Sequence, residues 1–219
     1  MPTPGNGVGP QARAVWHESD VVNAGTAALS VRNYMEQAAV RRHLKMAAEM
    51  TPLRCAADIG AGYGRMALVL QEACERVLAF EREPTLAERG RQLLPSIAFH
   101  QVASLDRLPA STGTVDFALS FTVLQHLGDA QMQAVVAEIR RLVRAGGFVL
   151  LCEETDDQFV VGDLDGPMGH YTVGRSVAQY EALMTPLALV ATSPRQIEVG
   201  YPRSDVGTYM LFRAREQEQ

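Results

Sequence analysis

Cysteine is scarce in this chain of 219 residues, and Cys55, Cys74 and Cys152 stand far apart with no CxxC pair. Such spacing builds neither a disulfide framework nor a cysteine metal site, so the thiols are expected to be free and no metal is expected. Net positive charge is missing too. The formal charge is -5 and the sequence pI near 5.6, whereas a nucleic-acid backbone calls for a basic face, so no nucleic-acid partner is expected. Long apolar runs are also absent, and no hydrophobic leader follows Met1. Neither secretion nor membrane insertion is expected on these grounds, and a cytoplasmic location is.

Lysine is nearly missing, Lys45 standing alone among twenty basic residues, a skew that points to a GC-rich, bacterial genome rather than to any chemistry. What is present suffices for one substantial core, and residues 1–219 are read as a single domain. Within it, residues 1–12 are rich in Pro and Gly and are expected to be mobile, residues 13–50 form an N-terminal cover, and 153–175 break the rhythm as a substrate-side insertion. No internal repeat is visible.

The most informative stretch is Ala57-Asp58-Ile59-Gly60-Ala61-Gly62-Tyr63-Gly64-Arg65, which follows an apolar run and precedes Met66-Ala67-Leu68-Val69-Leu70. Alternating glycines at a strand-to-helix turn let the backbone take positive φ and approach a ligand closely, and the helix start favours an electron-rich group, so the loop marks a nucleoside site. A dinucleotide fingerprint would need glycine at position 65, where the chain has Arg65. Twenty-one residues after Gly60, the run Val77-Leu78-Ala79-Phe80 ends in Glu81, an acid placed to accept both hydroxyls of a ribose.

Apolar periodicity alternates strand and helix: helix 31–50 with Met35, Ala38, Ala39, Met46 and Met50 roughly on one side, strand 54–59, helix from 64, strand 77–81, helix 84–94, strands 97–102 and 115–121. A helix over 130–144 comes next, capped by Asp129 and ended by Gly146, then strand 148–152. Ser176 and Gln179 spell a capping box for a short helix stopped at Thr185-Pro186, before late strands 187–193 and 207–213. Such alternation implies an α/β fold, a parallel sheet covered by helices on both faces.

With the glycine loop and Glu81, three further blocks, Leu108-Pro109 leading to Val115-Asp116-Phe117, Val123-Leu124-Gln125-His126-Leu127, and Arg141 to Gly147, fall in an order that resembles the class I S-adenosylmethionine (SAM) dependent methyltransferases over about 30–213. The resemblance implies a three-layer Rossmann-like sandwich whose mostly parallel seven-stranded sheet has its last strand antiparallel. It implies SAM as cofactor and S-adenosylhomocysteine as product. Gly60, Ala61 and Gly62 would cradle the methionyl part, Asp58 would order the loop, Glu81 would take the ribose, and Arg82, Ser104, Leu105 and Phe121 would surround the adenosine and methyl end. Ser104 stands where the family often has an acid, and Asp106 is the alternative.

Methyl transfer from a sulfonium is an in-line displacement that needs alignment more than acid-base groups. His126 is the first candidate base for a hydroxyl nucleophile and His170 the second. His17, His43 and His100 read as surface or packing residues. Glu153 and Glu154 at a strand tip, with Tyr34 and Tyr171, are candidate substrate-binding residues, and Trp16 with Tyr34 is a candidate apolar wall. The expected reaction is methylation of an O or N nucleophile on a small molecule, such as a natural-product intermediate, by a monomer or homodimer. The alternatives are a non-methylating SAM enzyme on the same scaffold and a non-catalytic SAM-binding module.

Overall fold

The computed structural model describes residues 27–164, 171–196 and 205–216. Trp16, His17, His170 and the segment 1–12 lie outside these residues. The elements are α1 (Ala27–Met50), β1 (Cys55–Ile59), α2 (Ala67–Gln71), β2 (Arg76–Glu81), α3 (Pro84–Leu93), β3 (Ala98–Gln101), β4 (Val115–Phe121), a single 3-10 turn (Leu124–His126), α4 (Asp129–Leu142), β5 (Val143–Glu153), β6 (Val160–Gly162), β7 (Tyr171–Val173), α5 (Val177–Met184), β8 (Ala188–Gln196) and β9 (Asp205–Arg213).

Seven strands form one sheet in the order β3-β2-β1-β4-β5-β9-β8. Neighbours from β3 to β5 run parallel, and β9 runs antiparallel to both β5 and β8. The reversal therefore sits one strand in from the edge. Because side chains alternate across a strand, adjacent residues feed opposite cores. Ala56, Phe117, Leu119, Phe148 and Leu150 pack with α1 and α2 on one face, and Ala57, Ala118, Val149 and Leu151 pack with α4 and α5 on the other. The near-continuous burial of β4 and β5 is what a two-sided parallel sheet demands.

Several boundaries differ from the sequence reading for local reasons. Helix α4 ends at Leu142, because Val143 is already extended and joins β5, and Gly146 at φ +73° lies within the irregular start of that strand rather than at a helix end. Gly128, not Asp129, occupies the cap of α4, and the Asp129 carboxylate binds the Arg175 guanidinium instead. The buried stripe of α1 is Ala39, Val40, Leu44 and Ala47, while Met46 and Met50 are exposed. His43 packs inside, its ring stacked on Tyr209 and its Nδ1 bonded to the Ala39 carbonyl. In the segment 153–175, β6 and β7 pair as a two-stranded antiparallel ladder. The capping box of Ser176 and Gln179 is present at α5.

Candidate cofactor and active site

In an open parallel sheet, ligands sit beyond the carboxyl ends of the strands. The tips of β1, β2, β4 and β5 bring together the glycine loop, Glu81, the turn after Phe121, and Glu153. The three glycines of the loop answer three different requirements. Gly60 has φ +74°, and a Cβ there would meet Val123 Cγ2 at 2.5 Å, so it lets the β4 turn close onto the loop. Gly62 has φ +57°, and a Cβ there would meet nothing within 4 Å, so this backbone faces open space. Gly64 has no room for a side chain, Phe99 Cζ and Leu94 Cδ1 lying 2.6 and 2.7 Å from a built Cβ.

Three of the loop's amides are spent on backbone carbonyls. Gly60 and Ala61 donate to the Phe80 carbonyl at 2.8 and 3.0 Å, and Gly64 to the Ala61 carbonyl at 2.9 Å. The Ala67 amide at the start of α2 is taken by Asp58. Beside these amides, side chains offer polar contacts.

Two carboxylates do so. Asp58 is 2 % exposed and its Oδ2 has no hydrogen-bond partner. Burial, and then the negative charge of Glu81, push it up to about 7, against the cationic influence of Arg65. A buried carboxylate oxygen without a partner is costly unless a ligand or water meets it. Glu81 is also buried, with Oε2 accepting the Gly62 amide and Oε1 the Glu83 amide, both at 2.7 Å. Burial raises its pKa, opposed by the N–H groups of Glu83, Gly62 and Arg82. A carboxylate has about four lone-pair sites, so these three amides leave acceptor capacity for a ligand donor.

Of the other expected cofactor residues, Leu105 and Phe121 are buried, Ser104 is half-buried and bonded to the Asp106 amide at 3.5 Å, and Arg82 is exposed. Phe121 lies under two guanidiniums, Arg65 at 5.0 Å and Arg195 at 5.1 Å from its ring centre. Both guanidiniums also bind Glu36 of α1, a carboxylate 1 % exposed. Burial would raise that carboxyl, but the charges of Arg195, Arg65 and Arg32 prevail and hold it at about 2. Asn33 and Gln37 add hydrogen bonds to the Arg65 side chain and carbonyl. Sequence reasoning noted Arg65 only as the residue that breaks a dinucleotide spacing. Here it ties α1 to the glycine loop, a role carried by pairing across 29 residues that no local pattern announces.

The acceptor-side residues fare unevenly. His126 sits on the 3-10 turn, and its Nδ1 lies 2.7 Å from the Tyr171 carbonyl oxygen. A carbonyl only accepts, so Nδ1 carries the proton, and the Nε2 lone pair faces the Gln125 amide nitrogen at 3.4 Å. Tyr171 is half-buried on β7, whereas Tyr34 is 71 % exposed on α1. Glu153 is not at the acceptor surface. It is fully buried, and accepts from Ser120 Oγ and from the amides of Val123, Leu124 and Gln125, because the turn beyond β4 leaves its N–H groups pointing at the tip of β5. Glu154 is buried as well, and accepts the Asp156 amide.

A sheet of this order with a glycine loop after β1 and an acid at the end of β2 defines the class I, Rossmann-like fold of SAM-dependent methyltransferases. Residues 57–151 match the family described as Methyltransferase domain. A probable SAM-dependent methyltransferase of Mycobacterium tuberculosis is 28 % identical over 126 residues, 56 % of this chain and 43 % of that protein. An uncharacterized 37.1 kDa transposon protein of Streptomyces fradiae is 28 % identical over 121 residues, 52 % of this chain and 34 % of that protein. The chain thus spans less than half the length of these relatives. Among solved structures, a Leishmania major SAM-dependent methyltransferase superposes with TM-score 0.73 at 16 % identity, covering 92 % of this chain and 81 % of that one. The N-methyltransferase NodS of Bradyrhizobium japonicum, in complex with S-adenosylhomocysteine, gives 0.66 at 16 % identity, covering 92 % of each. No helix among the described residues is long and apolar enough to cross a membrane.

Proposed function

We propose that this chain transfers the methyl group of SAM to an O or N nucleophile of a small molecule. The observation that supports it most is the pairing of open space at Gly62 with two buried carboxylates that have unused acceptor sites, opposite a turn that carries His126. When bound, SAM supplies an electrophilic methyl on a sulfonium. Glu81 then accepts the ribose hydroxyls, and Asp58 and Arg65 bring opposite charges to the ammonium and carboxylate of the methionyl end. His126 would take the proton of a hydroxyl or amine nucleophile at Nε2, displacing the Gln125 amide nitrogen there, while the Tyr171 carbonyl holds its Nδ1–H. The loops and the β6–β7 ladder near the strand tips support a small acceptor.

The test is incubation with SAM and a panel of alcohols, phenols and amines, followed by mass spectrometry. The expected result is S-adenosylhomocysteine in equal amount with a product heavier by one methylene. SAM binding without product across the panel would favour a non-catalytic module, and adenosyl- or carboxymethyl-derived products would favour a non-methylating enzyme.

A further inference from the structure

Beyond β4 the backbone enters its turn through Thr122, a non-glycine residue at φ +55°, a conformation that costs a β-branched side chain free energy and persists only when its surroundings hold it. Two buried side chains of opposite charge grip the turn over Val123–Leu127. On one side, Glu153 accepts the amides of Val123 and Leu124 at 3.2 Å each and of Gln125 at 3.1 Å, with Ser120 Oγ as a fourth donor at 3.1 Å. On the other side, Arg175 donates from Nη1 to the Leu124 carbonyl at 3.2 Å and from Nη2 to the Leu127 carbonyl at 2.9 Å, and Asp129 orients its guanidinium. The anion takes the N–H groups of the turn and the cation takes its carbonyls. A peptide segment bound at both ends of its dipoles has little freedom left.

The same arrangement reaches the imidazole. Arg175 lies two residues beyond β7, and its own amide donates to the Glu154 carbonyl at 3.2 Å, which fixes the end of β7 against the tip of β5. From β7, the Tyr171 carbonyl oxygen is 2.7 Å and Thr172 Oγ1 is 3.1 Å from His126 Nδ1. The Gln125 side chain accepts the Glu154 amide at 2.8 Å, a further strap between turn and strand. The turn and the strand that sets the ring's tautomer are therefore held by one connected set of contacts.

We infer that Glu153 and Arg175 are positioning residues, which act through the turn Val123–Leu127 and through β7 to hold His126 with its Nδ1 protonated and its Nε2 as the lone-pair nitrogen, which an acceptor takes over from the Gln125 amide. The inference rests on the proposed role of His126 as base, yet its consequence for the imidazole is readable without any acceptor. A residue that only stabilised the fold would leave the tautomer of a correctly folded protein unchanged.

The experiment is ¹⁵N–¹H correlation of the histidine side chains in the full chain saturated with S-adenosylhomocysteine, for the parent, Glu153→Gln and Arg175→Lys. His126→Ala assigns the signals. Gln offers the turn one acceptor oxygen and an unwanted N–H₂, and Lys keeps the charge without the forked donors. The parent should show Nδ1–H almost alone. Each variant that still binds S-adenosylhomocysteine should show the Nδ1–H to Nε2–H ratio lowered at least threefold, roughly the loss of a weak positioning hydrogen bond. An unchanged ratio in the folded variants would overturn the inference, and so would loss of the folded state in both, which would assign the pair to global stability. Should His126→Ala methylate as fast as the parent, the base role fails while the tautomer result still stands.

Discussion

Replacing Glu81 by Ala separates ligand contact from loop order. The carboxylate holds the Gly62 and Glu83 amides at 2.7 Å each and takes the Arg82 amide as well, with acceptor capacity left for the ribose. Hydrogen bonds to a charged group contribute about 1.5 to 3 kcal/mol, and two hydroxyls on one anion do not add in full. S-adenosylhomocysteine affinity should therefore fall about ten- to a hundredfold. The unliganded protein loses acceptors for those amides, at about 1 kcal/mol where water can replace them, as the open space beside Gly62 allows. Relief of a buried carboxylate whose pKa is raised by burial offsets part of that loss. Titration calorimetry reads the first quantity and thermal melting without ligand the second. Equal affinity in the mutant refutes the ribose contact, and a large drop in melting temperature with a proportionate loss of binding would show that Glu81 matters through the loop alone.

Asp58 makes ligand binding depend on pH: its folded value of about 7 lies above the ordinary 3.8, so a ligand ammonium must meet a carboxyl that is protonated below about pH 7. S-adenosylhomocysteine affinity should fall by up to about tenfold per pH unit below about pH 7, and Asp58→Asn should abolish that slope in calorimetry across the range. The same group binds protons more tightly folded than unfolded, so its contribution to unliganded stability is lost as pH rises from about 4 to about 7. Gly62→Val should lose cofactor binding, because its side chain enters open space, and lose some stability as well, because a β-branched residue is strained at φ +57°. Gly60→Ala should lower the melting temperature instead, by collision with Val123. Full S-adenosylhomocysteine affinity in folded Gly62→Val would make the loop a plain turn. His126→Ala should cut turnover on a hydroxyl acceptor and leave S-adenosylhomocysteine affinity within about twofold, measured by coupled assay and calorimetry. A loss of affinity equal to the loss of turnover would place the imidazole on the cofactor.

The parallel core was legible because its signals are local: runs of apolar residues at strand length, glycines between them, and an acid at the tip of β2. The capping box at Ser176 was equally plain. Glu153 was misjudged since position at a strand tip says nothing of which neighbour reaches it first, and the amides that claim it come from residues about thirty positions earlier. For Glu36, Arg65 and Arg195 the limit is the same, a buried charge cluster assembled from α1, the loop and β8. The exposed Tyr34 shows that an aromatic on a cover helix does not have to turn inward.

The placement of β9 between β5 and β8 bears on how the chain is made. During synthesis β5 emerges well before its partner, presenting the unsatisfied edge of Phe148–Cys152, residues that end fully buried. Strand β8 cannot join the sheet at all until β9 has been translated, since β9 is its neighbour there. The final ordered strand is thus a closing key, and the sheet gains β8 and β9 together. Until that moment an apolar edge stands open to other chains, which makes slow translation or truncation near residue 205 a direct route to aggregation while the cofactor-binding half is already complete.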